Sequence, residues 1–172
     1  WNLSQLASCL TLVADVSSLE KELERFEGLY RAAFRARMLG VLGLKPVSEE
    51  RDLVLLKSLF AWMNETRAPW PQVFFDWFGG PASEARAARS PLAKQYAAAG
   101  FEPVRAALME HETERPERLG HNYFKGEAPV SLVIEEMEAL WAGIAERDDW
   151  SAFHQHMART ETARQALSLN PG

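Results

Sequence analysis

Apolar residues recur at three- and four-residue steps along most of the chain, the spacing that lays them on one face of an α-helix. Leu3, Leu6, Leu10 and Val13 predict a first amphipathic helix that ends near Ala14-Asp15. Ser17 followed by Glu20 has the form of a capping box and predicts a second helix start. Its stripe is Leu19, Leu23, Phe26, Tyr30, Ala33, Arg37 and Val41, widened by Phe34 and Met38. Gly40 and Gly43 weaken its end and Lys45-Pro46 stops it. Ser48 opens a third helix with Glu49 and Glu50 in the first turn, where the helix dipole favours negative charge. Leu53, Leu56, Phe60 and Met63 form its stripe, and Leu55, Leu59 and Trp62 make it apolar nearly all round. Such a helix is expected to be buried on more than one side.

Pro69-Trp70-Pro71 breaks the chain, and Val73 to Phe78 predicts a short aromatic helix stopped by Gly79-Gly80-Pro81. Residues 82–99 read as two short helices divided by Ser90-Pro91. Phe101, Val104, Ala107 and Leu108 begin another, with Pro103 in the first turn where its missing amide costs little. Residues 117–129 read as irregular. Val130, Val133, Ile134, Met137, Leu140, Trp141 and Ile144 form the cleanest stripe of all. Asp148 or Asp149 caps a last helix carrying Trp150, Phe153, Met157 and Leu167. No segment alternates with period two, and no repeat appears. The expectation is an all-α, irregular multi-helix domain of about seven to nine helices. It spans 1–172 as one domain, with 66–81 as the place for a subdivision. The stripes of 19–41, 53–63 and 130–144 should supply the core. Phe26, Tyr30, Leu56, Phe60, Ile134, Leu140 and Trp141 should be among its most buried side chains.

Composition narrows the class. A chain of 172 residues can bury roughly 70% of its unfolded surface around one core. With 47% hydrophobic and 25% charged residues it has the balance of a globular domain, not of a disordered segment. The 19 basic and 24 acidic residues are scattered and sum to −5, which argues against nucleic acid or an anionic membrane as main partner. No apolar run approaches the roughly 20 residues that cross a bilayer. Cys9 is the one cysteine, so no internal disulfide can form, which suits a reducing, cytoplasmic setting. Within an apolar helical pattern a buried, inert thiol is expected there. An opening of Trp1-Asn2-Leu3, without an initiator Met, reads as the interior of a longer protein.

Candidate chemistry is sparse. His154-Gln155-His156 resembles a metal motif, but on a helix i and i+2 point about 200° apart, so the imidazoles diverge and both read as solvated helix residues. Glu135, Glu136 and Glu138, with Glu110, Glu112 and Glu114, fit a solvated helix face better than an acid/base pair. Gly79-Gly80 lacks the spacing and the Lys of a phosphate loop and reads as a helix stop. No serine sits in a nucleophile elbow. Trp70, Phe74, Phe75, Trp77 and Phe78 cannot all face one core from one short helix, so some should meet a second surface. Catalytic, cofactor-binding and metal-ligating residues are accordingly all expected to be none in this chain.

Several ordered motifs carry a family resemblance. Trp1-Asn2-Leu3-x-x-Leu6-Ala7-x-x-Leu10, Phe26-x-x-x-Tyr30 and Met38-x-x-x-Leu42-Gly43-Leu44 come first. Asp52-Leu53, Phe74-Phe75-Asp76-Trp77-Phe78-Gly79-Gly80 and Arg115-Pro116-Glu117-Arg118-Leu119 follow. The Trp141 helix and Asp148-Asp149-Trp150-Ser151 complete the series. Together they resemble the C-terminal part of the selenoprotein O (SelO/YdiU) family. The family's Asn-Pro…Leu-Arg-Asn segment and its terminal Cys or selenocysteine are not matched. The resemblance implies a protein-kinase-like fold and transfer of AMP from ATP to Ser, Thr or Tyr hydroxyls of proteins. It also implies that the ATP- and Mg²⁺-binding residues lie upstream of Trp1, since none of them maps onto this chain. Nucleotide transfer needs a basic cradle with metal-binding acids, and neither is legible here. The expected partners are then a missing N-terminal kinase-like lobe and that lobe's protein substrates. Trp1, Leu3 and one or more of Trp70, Phe74 and Trp77 would form the apolar patch facing the lobe. A free-standing helical interaction module without catalytic activity is the alternative.

Overall fold

The computed structural model describes residues 1–167, and its contacts group them into two units, Trp1–Met38 and the chain from Leu39 onward. Nine α-helices occur among the described residues, together with four short 3₁₀ turns. No strand is present among them. The nearest thing to one is an isolated antiparallel bridge between Leu44 and Thr113. The all-α expectation holds.

The first unit comprises α1 (Asn2–Leu10) and most of α2 (Val16–Leu42). α2 starts one residue before the expected Ser17 cap. The carboxylate of Asp15 takes the amide of Ser18 at 3.0 Å and the Ser17 hydroxyl at 2.5 Å, so Asp15 does the capping. Those bonds hold its pKa below the usual carboxylate range. Leu3, Leu6, Leu10, Leu19, Leu23 and Phe26 line a shallow apolar groove of about 210 Å³. Phe26, Tyr30 and Phe34 form an i, i+4 ladder with ring centroids 5.8 and 6.1 Å apart. Phe26 and Tyr30 were expected in the core, yet both are exposed, and Trp1 is 89% exposed. Cys9, expected buried, is exposed as well. The reason is geometric. A pair of helices has one mutual face, and a stripe this wide cannot be covered by a single partner helix.

The second unit holds the core. Ser48 caps α3 (Glu49–Thr66) as expected, its Oγ accepting from the Arg51 amide at 3.3 Å. Leu55, Leu56, Leu59, Trp62 and Met63 are all buried, so α3 is covered on several sides. It packs against α7 (Glu102–Met109), which contributes Val104, Ala107 and Leu108. Between them in sequence lie α4 (Trp70–Asp76), α5 (Glu84–Ala87) and α6 (Ala93–Tyr96). The last two fall on either side of Ser90-Pro91, where the sequence placed the break. After 3₁₀ turns at Pro116–Gly120 and Asn122–Lys125 come α8 (Ile134–Arg147) and α9 (Ser151–Leu167). Asp149 caps α9 through the Ser151 amide at 3.0 Å, while Asp148 ends α8 in the left-handed region at φ 53°.

α8 corrects a second expectation. Its stripe is the most regular in the sequence, but none of its residues is buried: Ile134 is 72% and Trp141 63% exposed, and Leu140 is half-buried. Periodicity shows that a helix has an apolar face; it does not supply the element that covers it. Phe60 is also only half-buried, its ring 5.0 Å from that of the exposed Trp70. Of the seven side chains expected deepest, Leu56 alone is fully buried. No helix among the described residues is long and apolar enough to cross a membrane.

Candidate functional site: a buried carboxylate hub beneath the aromatic helix

The segment Phe74–Gly80 organises the second unit because its aromatics separate onto opposite sides of α4. Phe75 and Phe78 turn toward Phe124, with centroids at 5.8 and 4.8 Å. Trp77 turns the other way, against Phe101 at 5.2 Å and Tyr96 at 5.6 Å. Phe74 stays with Trp70 near the surface. The second surface these rings require thus comes from within the same unit for Phe75, Trp77 and Phe78. Trp77, considered for an outward patch, is 2% exposed and belongs to the core.

Gly79 and Gly80 let the chain reverse at the end of this helix, with φ at 94° and 60°. The Gly79 amide donates to the Leu42 carbonyl at 2.7 Å, and the Gly79 carbonyl accepts from the Thr113 hydroxyl at 2.6 Å. A Cβ at Gly79 would lie 2.7 Å from Leu119, and one at Gly80 2.7 Å from Leu44. The glycine pair therefore serves close packing, as a helix stop should.

Asp76 sits at the centre, 1% exposed. Its Oδ1 accepts from Gln72 Nε2 at 2.9 Å, and its Oδ2 from Ser90 Oγ at 2.5 Å and Tyr96 OH at 2.8 Å. Burial raises its pKa above the usual value, and these three donors act against that rise. Burial and the adjacent Asp76 charge push the Tyr96 hydroxyl up too, so it remains a donor. Close by, Arg86 donates from Nη2 to the Phe78 carbonyl at 2.6 Å and to Ser83 Oγ at 2.8 Å. Its guanidinium lies 4.7 Å over the Phe124 ring. Burial lowers its pKa to about 10 against the opposing pull of the Asp76 charge, and Arg89 pushes it down further. Asp76, with its acceptors engaged, ties α4 to α6 and to the Ser90 turn.

A second buried polar pair braces the start of α3. Asp52 and His111 side chains are fully buried, with Nε2 3.0 Å from Oδ1. The His111 Nδ1 lies 3.0 Å from the Ala107 carbonyl, which can only accept, so Nδ1 carries a hydrogen. The same Asp52 oxygen accepts the Val47 amide at 3.0 Å. Nε2 facing a carboxylate oxygen then requires one further proton on the pair, held by the imidazole or by the acid. The contact joins the loop before α3 to the end of α7.

The histidines singled out in sequence behave as their spacing dictates. His154 is exposed, whereas His156 is buried, with Nε2 lacking a hydrogen-bond partner among the described residues. The reading of both as solvated is thus corrected for His156. No group of three or more His, Cys, Asp or Glu is placed to hold a metal among the described residues. Glu135, Glu136 and Glu138 lie exposed on α8. Glu112 pairs with Lys45 at 2.9 Å and Glu110 with Arg51 at 3.5 Å, both at the surface. Sequence reading missed the Asp76 hub and the Asp52–His111 pair. Each joins residues far apart in the chain, and the one local signal was an acid embedded in an apolar run.

The fold and these braces define an all-α helical unit whose buried polar groups stitch its own segments together. The sequence model of the family described as protein adenylyltransferase SelO matches residues 1–161, and the chain belongs to that family. A protein nucleotidyltransferase YdiU of Gloeobacter violaceus is 26% identical over 167 residues, covering 92% of this chain and 34% of that protein. Proteins of the same name from Bordetella pertussis and Vibrio atlanticus are 39% and 35% identical over 75 and 74 residues. Each of those matches covers 43% of this chain and 15% of the relative. The chain thus spans about a third of the length of the Gloeobacter relative. No solved structure matches it.

Proposed function

We propose that this chain is the C-terminal helical part of a SelO-type protein adenylyltransferase and supports a catalytic lobe supplied by the rest of that protein. The carrying observation is the family match over 1–161, set beside a relative about three times as long. In this reading the lobe has a protein-kinase-like fold and holds ATP and Mg²⁺. AMP passes from ATP to a Ser, Thr or Tyr hydroxyl of another protein, with pyrophosphate leaving. The reading leaves Mg²⁺-ATP to that lobe, which is supported by the small size of the basic cleft here, about 110 Å³, with no group of acids placed for a metal among the described residues. The partners are the lobe and its protein substrates, in the cytoplasm, and neither nucleic acid nor membrane.

The exposed apolar faces support this role. In the first unit Trp1, Leu3, Leu6, Phe26 and Tyr30 are open to solvent; in the second Trp70, Ile134 and Trp141 are. Faces of this kind suit docking to a neighbouring part of a larger protein. Calorimetry with ATP and Mg²⁺ tests the reading. The complete protein of the reading frame should bind and label protein hydroxyls with AMP, and the 172-residue chain should do neither. Micromolar binding by the short chain alone overturns it. So does a reading frame that encodes only this chain, which would favour the free-standing interaction module.

A further inference from the structure

A second feature of the hub region is basic. Arg86 on α5, Arg89 just after it and Lys125 at the end of the 122–125 turn line one cleft of about 110 Å³, with Asp76, Ser90 and Glu127. Among the described residues, none of the three cations has a carboxylate oxygen within 4 Å. Arg86 is the most constrained. Its Nη2 is used by Phe78 and Ser83, while its Nε is buried without a hydrogen-bond partner among the described residues. Two acids oppose this field. Asp76 acts on Arg86 at a distance although its oxygens are already engaged by Gln72, Ser90 and Tyr96, and Glu127 is exposed on the rim, so three cations face two acids.

We propose that this cleft binds one phosphate-type oxyanion between Arg86, Arg89 and Lys125. Guanidinium forks and an ammonium are the donors that recognise tetrahedral oxyanions, and partial burial strengthens charge-assisted bonds. By itself this cleft has room for the oxyanion and little more, because pockets for small organic ligands run to about 300–1,000 Å³. Adjoining it, and sharing Gly126 and Glu127, is an open cleft of about 430 Å³ that includes Tyr123, Val130 and Arg159. The organic part of a phosphomonoester would lie there, so the oxyanion has two sources, the free ion and a monoester.

Titration calorimetry of the 172-residue chain with inorganic phosphate, against chloride at matched ionic strength, is the test. O-phosphoserine forms the second arm. Arg89→Gln with Lys125→Gln is the variant of choice, since both side chains are exposed and the hub is untouched. Saturable phosphate binding that weakens about tenfold in the double variant supports the site. Tighter binding of O-phosphoserine assigns a monoester, and phosphate binding alone assigns the free ion. Heats no larger than those of chloride, or a double variant that binds phosphate as well as the parent while circular dichroism shows it folded, overturn the proposal.

Discussion

Trp77→Ala removes the largest fully buried side chain of the second unit, and its cost can be worked from the packing. The indole is 2% exposed, lies against Phe101 and Tyr96, and has the Arg105 guanidinium 5.6 Å over its ring. Truncation loses the transfer free energy of the indole and leaves a cavity that α6, the turn at Phe101 and α7 cannot close without moving. For a buried aromatic this is worth about 3–5 kcal/mol. The indole nitrogen changes the comparison with a smaller substitution. Nε1 is buried and has no hydrogen-bond partner among the described residues, so it contributes a desolvation cost and no compensating bond. Trp77→Phe discards that unpaired N–H while keeping most of the ring contacts, and its net cost should stay near 1 kcal/mol. Urea unfolding of the three chains, followed by far-ultraviolet circular dichroism, measures both differences. The Ala variant should lose several times the stability lost by Phe, with the denaturant slope unchanged. An Ala variant within about 1 kcal/mol of the parent would refute the placement of this indole in the core. So would a Phe variant as damaged as Ala, because the nitrogen would then be bonded.

Two further predictions concern the buried polar groups. His111→Ala should destabilise the chain by about 3 kcal/mol, because it strips the imidazole from a carboxylate that is fully buried; a thermal melt of the variant within about 1 °C of the parent would contradict the pairing. Asp76 has a raised pKa, so its contribution to stability is fully present below the unfolded value of 3.8 and is lost as pH rises through its folded value. With Asp76→Asn as the reference that does not titrate, the stability difference between parent and variant should therefore shift against the parent as pH is raised from 3.5 toward 7; a difference moving the other way would remove burial as the dominant effect.

Most of the helices were legible because their signals are local. The Ser48 cap, the Pro69-Trp70-Pro71 break and the Ser90-Pro91 division act through groups within a few residues of one another. The family membership was legible for the same reason, being carried by ordered motifs such as Phe74–Gly80. Burial was not. The stripe of α8 is as regular as that of α3, yet α3 is enclosed by α7 and the aromatic segment while α8 leaves Ile134 and Trp141 in solvent. Nothing in a residue's own periodicity says whether another element will arrive to cover it.

The chain's sequence alone determined that it is helical, where its breaks fall, and that its motifs are those of the SelO family. Each of these rests on backbone propensity or on residue order. Tertiary structure alone decided that Asp76 would gather donors from Gln72, Ser90 and Tyr96. It likewise decided that His111 would meet Asp52 across 59 positions, and that Lys125 would join Arg86 and Arg89 around one cleft. Charge and hydrogen bonding act over a few ångströms in space, and only the folded packing sets which distant residues come that close.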